Sequence, residues 1–146
     1  MDLSKNFEIP FEDGKPVQVI CTEGEAFENK NGKAYCQHIL VGINGERFEN
    51  KQYVNKDAGV RFYTRFLSMC GITRDQTVNW TPNMLDGKFV TVEFRTKHET
   101  YETYDDNGNP VTKEIDKQEI AYAKTSTATV NEQKLLIEQA KGTAPF

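Results

Sequence analysis

Several stretches of the chain have the two-residue period of β-strands and carry tyrosines interleaved with Lys and Arg. Aromatic rings stack on nucleic-acid bases, each worth about 1–3 kcal/mol, and cations spaced along a groove follow the phosphates. This mixture is typical of proteins that bind single strands, whereas a duplex binder favours a helix rich in Arg and Asn. The candidate nucleic-acid-binding residues are Lys33, Tyr35, Arg47, Lys51, Tyr53, Arg95, Lys97, Tyr101 and Tyr104.

The most coherent candidate surface falls on the predicted third strand. Arg47, Lys51 and Tyr53 share one face of it, because side chains separated by an even number of residues point the same way. Tyr35 begins the preceding strand beside Lys33, and its ring is either a core residue or a stacking residue. Two further tyrosines flank a long polar hairpin and are better placed to close over a ligand; they are Tyr101 and Tyr104.

Other aromatic residues are predicted to build the core. Phe94 alternates with Val90 and Val92, so it is expected inside. The helical period of residues 60–70 places a group of rings on its apolar face, and these are predicted to be buried. They are Phe62, Tyr63 and Phe66. Arg61 and Arg65 are interpreted as ordinary surface charge on the opposite face of that helix.

No motif for catalysis or metal binding stands out in the sequence. It contains no Gly-rich phosphate loop, no nucleophile elbow and no paired-histidine zinc helix. The three cysteines are widely spaced and fit small core residues of a reducing compartment. His38 is interpreted as a structural histidine within a strand. We therefore predict a non-enzymatic protein with no catalytic residue, no metal and no cofactor; a small hydrolase stays open only if strand-borne carboxylates converge.

Length and charge narrow the class of protein. The 146 residues suit one domain, and the net charge of −4 argues against a nonspecific duplex binder, which usually carries a basic surplus. The longest apolar run is too short to cross a bilayer, and the first residues are too polar for a secretory signal. A cytoplasmic protein without membrane contact is expected.

The local pattern predicts five strands and two helices. Turns are expected at 29–32, at the Asn44-Gly45 pair and at 105–110, because Asn and Gly adopt positive φ at little cost. A short helical turn is expected at 82–85. The predicted elements are strands at 17–27, 34–43, 46–54, 88–98 and 111–124, and helices at 60–70 and 131–141.

This order predicts an all-β fold with one or two helices, in the β+α class. Three strands, a helix, two strands and a trailing helix is the order of a five-stranded, OB-fold-like antiparallel barrel with its helix between strands 3 and 4. An open antiparallel sheet backed by one helix is the alternative. The predicted division is an extended arm at 1–16, an OB-fold-like domain at 17–125, and a linker, C-terminal helix and tail at 126–146.

Three loosely defined motifs stand out along the chain: a turn at Lys30–Tyr35, a helix at Val60–Leu67 followed by Cys70–Ile72, and a segment at Leu85–Glu93. Together with the order of the segments, they resemble a family of small phage-encoded proteins described as single-stranded-DNA-binding-like. The resemblance extends from about Val17 to Lys124. It implies an OB-fold protein of phage DNA replication or recombination that works in the host cytoplasm, and it supplies no catalytic residue.

The chain ends in Pro145-Phe146. Bacterial single-strand binders resemble one another in ending with acidic residues and a Pro-Phe tip that partner proteins grip. Here Gly142, Thr143 and Ala144 stand in place of the acids, which weakens the case for recruitment through this tail. If it occurs, Phe146 is the anchor and a cation of the partner holds its carboxylate.

We therefore expect sequence-independent binding of single-stranded DNA. Replication or recombination proteins and a second copy of the chain are further candidate partners. The alternative function is an OB-fold protein–protein interaction module, such as a replisome accessory or an inhibitor of a host factor.

Overall fold

The computed structural model describes residues 10–142, which form a five-stranded antiparallel sheet with a helix packed on each of its faces. The first strand of the chain lies in the middle of the sheet, with the second and third strands on one side of it and the fourth and fifth on the other. The elements are β1 (Pro16–Glu28), β2 (Ala34–Gly42), β3 (Arg47–Tyr53), α1 (Asp57–Met69), two short 3₁₀ turns (Asp75–Thr77 and Pro82–Leu85), β4 (Phe89–Tyr104), β5 (Pro110–Thr125) and α2 (Val130–Ala140).

The prediction of a mainly β fold with a helix between the third and fourth strands is confirmed, as is the C-terminal helix. The sheet is open, since β3 and β5 are its two edges and do not pair with each other within residues 10–142. Helix α1 contacts both of these edge strands. The main core therefore lies between the sheet and α1.

The face of the sheet covered by α1 is called the inner face. Its buried residues include Val19, Leu40 and Val92, which pack with Tyr63 and other residues of the helix. Helix α1 ends where the sequence predicts, because Gly71 adopts φ 86°. The amide N–H of Ile72 donates to the Leu67 carbonyl at 3.0 Å, which closes a Schellman motif.

The opposite face, called the outer face, is covered in part by α2. Leu136 is fully buried against Ile20 and Val41, whose neighbours along each strand point inward. The N-terminus of α2 is held by a capping box, in which the Thr129 N–H donates to Glu132 Oε1 at 3.0 Å and the Glu132 N–H donates to Thr129 Oγ1 at 3.2 Å. The rest of the outer face is open around residues 27, 35 and 53.

The prediction that Phe62 is buried is wrong, because its side chain is 72% exposed. The buried residues of α1 are Tyr63, Phe66 and Leu67, with Cys70 one turn further on. Consecutive residues of a helix are rotated by about 100°, so a ring one position before Tyr63 falls beside the apolar stripe. An apolar ring is thus left on the surface of α1.

The last two strands form a longer hairpin than the sequence predicts. Strand β4 pairs with β1 only between Pro16↔Glu93 and Ile20↔Phe89, and then continues to Tyr104 with β5 as its ladder partner. The two strand segments beyond β1, Arg95–Tyr104 and Pro110–Glu119, are called the hairpin arm. Ten residues of antiparallel strand span about 33 Å, so the arm extends well past the core.

His38 is buried on the inner face, as its interpretation as a structural histidine requires. Its Nε2 lies 2.7 Å from the Tyr63 hydroxyl, which also accepts the Trp80 indole N–H at 3.1 Å. The other ring nitrogen, Nδ1, has no hydrogen-bond partner among residues 10–142. Because burial penalises the charged imidazolium, the pKa of His38 is lowered from 6.5 to about 4.

The free energy of unfolding is therefore expected to fall by about 3 kcal/mol as the pH drops from 6.5 to 4. In that window the unfolded chain binds a proton at His38 that the folded chain rejects; above 6.5 both states are neutral at this residue, and its contribution is constant. Urea denaturation across this pH range measures the effect. The variant His38→Gln lacks the titrating group, so its pH dependence should be flatter than that of the parent. Parallel curves for the two proteins would contradict the assignment.

Candidate nucleic-acid interface

Three aromatic rings lie side by side on the open part of the outer face. Phe27, Tyr35 and Tyr53 occupy the same level of β1, β2 and β3, since Phe27 pairs with Tyr35 and Tyr35 with Tyr53. The first two ring centroids are 5.4 Å apart and the last two 5.2 Å apart. Phe27 is 36% and Tyr53 42% exposed, and Tyr35 between them is half-buried. These three residues are called the ring row.

Lys51 places a cation at the ring row. It lies on β3 two residues before Tyr53, and so on the same face. Its Nζ is 5.6 Å from the centroid of the Tyr35 ring, within the range of a cation–π contact. The same Nζ is 3.5 Å from Glu49 Oε1, and both side chains are exposed, so this ion pair is weak and the amine stays accessible.

A β-bulge in β1 brings Phe27 to the outer face. The pairing register shifts between Thr22 and Glu25, and Glu23 adopts φ 52°. Without the extra residue, strict alternation would place Phe27 on the inner face with Val19. Gly24 sits in the bulge, where a Cβ would lie 2.3 Å from the Pro82 carbonyl oxygen. A glycine inside a strand is the sequence sign of such a bulge, and it was the available signal for Phe27, which the sequence prediction missed.

The loop from β1 to β2 holds two lysines beside the ring row. Asn29 Oδ1 accepts the backbone N–H groups of Asn31 and Lys33, each at 2.9 Å, and this fixes the predicted turn. Lys30 and Lys33 are exposed and form no ion pair within the described part of the chain. Acidic residues nearby balance these cations and Lys51; they are Glu25, Glu28 and Glu49. Stacking on the rings, more than net charge, would supply affinity here.

Arg47 is separated from the ring row. It begins β3, six residues before Tyr53, and pairs with Val41 at the end of the sheet that α2 covers. Its Nη2 lies 2.6 Å from Glu23 Oε2, so its guanidinium is engaged by a carboxylate. Arg47, Lys51 and Tyr53 share one face of β3, as predicted. Arg47 nevertheless lies at the opposite end of the strand from Tyr53, so it does not join the other two in one surface.

The remaining four predicted residues lie on the hairpin arm. Arg95 pairs with Glu119 at 2.7 Å, and Lys97 lies 3.6 Å from Glu99. Tyr101 and Tyr104 are exposed, as expected for the flanks of a hairpin. Odd separation places these two rings on opposite faces of the arm.

The arm and the ring row lie at opposite ends of β1. The arm continues past Pro16, whereas Phe27 is near the other end, on the order of 35 Å away along an extended strand. Residues 95–119 contain seven acidic residues and four Lys or Arg. This excess of negative charge disfavours the binding of a phosphate backbone. The nine predicted residues therefore fall into separate regions, and only Lys33, Tyr35, Lys51 and Tyr53 come together.

Other predictions fall outside this surface. Pro145 and Phe146 lie beyond the described residues. Between residues 10 and 142, none of the helices has the length and apolar character needed to span a bilayer. In the same range, no three His, Cys, Asp or Glu side chains gather into a metal-binding group.

Similarity to known proteins does not identify this surface. No protein-family model matches the chain, and no curated protein matches it at a significant level. What the ring row can bind therefore follows from its chemistry, which is a row of three adjoining aromatic rings with a lysine over the central ring and two more lysines in the adjoining loop.

Proposed function

We propose that this protein binds single-stranded DNA without sequence preference, and that it does so as a non-enzymatic protein. The observation that carries the proposal is the ring row, with Lys51 over the central ring. Every base has a π face, so stacking on rings tolerates any sequence. Lys30, Lys33 and Lys51 would contact the phosphates beside the stacked bases.

The exposure of the rings supports this function over a purely structural role. Two partly exposed rings and the half-buried ring between them form one continuous apolar strip on an otherwise polar surface. Such a strip is a candidate binding site, because contiguous apolar patches on a protein surface often mark the places where ligands or partner proteins bind. Since the strip crosses three strands, a nucleic-acid strand running across the sheet would meet one ring after another.

The fold itself is proposed to be an OB-type barrel that is closed by a helix. The strand order β3-β2-β1-β4-β5 becomes a closed barrel once the two edge strands are joined. Helix α1 contacts both of these edge strands, which supports the proposal. OB-folds commonly bind oligonucleotides on the face of their second and third strands, where Tyr35, Lys51 and Tyr53 lie.

The ring row and the proposed barrel support a role in phage DNA replication or recombination in the host cytoplasm. The resemblance of the turn and helix motifs to the phage-encoded family supports the same role. Coating a single strand would keep it from annealing and from nucleases. Replication or recombination proteins would then be the protein partners.

A second candidate function, a protein–protein interaction module, is favoured by the hairpin arm. Its two exposed tyrosines stand among acidic residues, a setting that repels phosphate and suits a basic protein surface. This candidate applies to the arm, and it competes with DNA binding only if the ring row also proves to bind protein.

Titration of labelled oligo-dT, duplex DNA and RNA at several salt concentrations tests the proposal. We expect oligo-dT to bind more tightly than duplex, with an affinity that falls as the logarithm of the salt concentration rises. An interaction module predicts no binding to any of these probes even at low salt. Equal affinity for duplex and oligo-dT would also overturn the proposal, because rings cannot stack on bases that are already paired.

A further inference from the structure

Phe62 is an apolar ring left uncovered on α1, and no part of the fold explains it. The side chain is 72% exposed and projects from the flank of the helix. Together with Ala58, Arg61 and Arg65 it lines an open groove of about 460 Å³. Phe62 lies four positions after Ala58 and three before Arg65, and Arg61 lies three positions after Ala58 and four before Arg65, so the four residues form one surface of the helix. This surface is called the α1 flank.

Both arginines of the α1 flank are without partners. Arg47 and Arg95 are each engaged by a glutamate at 2.6–2.7 Å. The guanidinium groups of Arg61 and Arg65, in contrast, make no hydrogen bond or ion pair with any residue in the range 10–142. In a chain with a net charge of −4, two free guanidinium groups beside an exposed ring are a local positive and aromatic patch. Guanidinium groups fit phosphate oxygens, and they also stack on flat rings.

The first turn of α1 lies beside the β3 end of the ring row. Helix α1 begins four residues after Tyr53, and Gly59 touches the backbone of that tyrosine so tightly that a Cβ would lie 2.1 Å from its carbonyl oxygen. Phe62 follows Gly59 by three residues, about 5 Å along the helix axis. A nucleic-acid strand that crosses β1, β2 and β3 over the ring row therefore leaves the sheet at its β3 edge, beside the first turn of α1. From there it would pass around this edge to the α1 flank, because α1 packs on the inner face.

We propose that the α1 flank extends the binding surface for single-stranded nucleic acid, with Phe62 stacking on a base and with Arg61 and Arg65 contacting phosphates. This inference rests on the proposed function of the ring row. The occupant is an anionic polymer with exposed rings, because the patch pairs cations with an aromatic face. An acidic protein segment would satisfy the arginines and leave the ring without a matched partner.

Two variants test the inference, Phe62→Ala and the double variant Arg61→Gln/Arg65→Gln. With an oligo-dT of about 20 nucleotides, we expect Phe62→Ala to weaken binding about tenfold. The double variant should lower the slope of log affinity against log salt by about 1.4, since each lost phosphate contact on a single strand contributes about 0.7. An oligo-dT of about 6 nucleotides is short enough to bind to the ring row alone, so both variants should bind it as the parent does.

Matched controls are Val78→Ala and Arg74→Gln, an exposed apolar residue and an exposed arginine outside α1. Both should bind as the parent does. Cross-linking with iodouracil-substituted oligonucleotide gives a direct readout, because it should label the tryptic peptide that contains Phe62.

Parent affinity and parent salt slope in both α1-flank variants, with no cross-link at Phe62, would overturn the inference while leaving the ring-row proposal intact. A parent protein that binds no oligo-dT would overturn the proposed function itself. If a poly-glutamate peptide binds the parent and not the variants, while DNA binding is unchanged, the α1 flank is a protein-docking surface and the inference is wrong.

Discussion

Replacing Tyr35 and Tyr53 together by alanine is expected to weaken the binding of oligo-dT by about 100-fold or more. Both rings belong to the ring row, and each base stacked on a ring is worth about 1–3 kcal/mol. At the centre of that range, the loss of each ring lowers the affinity by about tenfold or more, and the loss of both lowers it by about 100-fold or more. Fluorescence anisotropy with a labelled oligonucleotide, at one fixed salt concentration, measures the change. The melting temperature of the variant shows whether it is still folded.

The hairpin arm offers a matched control for this experiment. Tyr101→Ala/Tyr104→Ala makes the same chemical change at two exposed tyrosines, among acids and far from the ring row along β1. We expect affinity within about twofold of the parent, since surface substitutions away from a site rarely exceed ~0.5 kcal/mol. If the arm variant lost as much affinity as the ring-row variant, the binding surface would lie elsewhere or would include the arm.

Phe94→Ala is expected to lower the free energy of unfolding by about 3–5 kcal/mol, the usual cost of deleting a buried phenylalanine. The side chain is fully buried. Its ring stacks on Phe11 with centroids 4.3 Å apart and meets Phe48 edge-on at 5.0 Å. It therefore joins the segment before β1, β3 and β4 in one core, and truncation would leave a cavity between them. Urea denaturation with linear extrapolation measures the loss.

Phe62→Ala serves as the control for stability. The same substitution at an exposed ring should change the free energy of unfolding by less than about 0.5 kcal/mol, at an unchanged denaturant slope. A loss of similar size at both positions would mean that Phe62 is covered in solution and that Phe94 is not the centre of the core.

Local patterns in the sequence predicted most of the secondary structure. Period-two alternation located the strands, helical period located α1, and the Asn-Gly pairs located three turns. These signals are local because they depend on backbone conformation and on which face of one element is apolar. The end of β4 was missed, since the hairpin arm is exposed on both faces and has no apolar alternation to reveal it.

The site was less predictable because it depends on contacts between distant residues. Tyr35, Tyr53 and Lys51 were recognised as candidates from alternation within β2 and β3. Phe27 was not, because one extra residue in the bulge reverses the alternation of β1. The partners of Arg47 and Arg95 are glutamates 24 residues away in each case, and only the fold brings them within reach.

Tolerance to insertions and deletions should differ sharply between the two ends of this sheet. In β1, gaining or losing one residue between Cys21 and Phe27 would exchange the faces of every side chain beyond it, turning the aromatic residue inward and Ala26 outward. In the hairpin arm beyond Gln118, which bonds to the backbone of Phe11, the side chains are mostly exposed on both faces, so removing one residue from each strand uncovers no core. Relatives of this protein are therefore expected to differ freely in the length of the arm and to keep the length of β1.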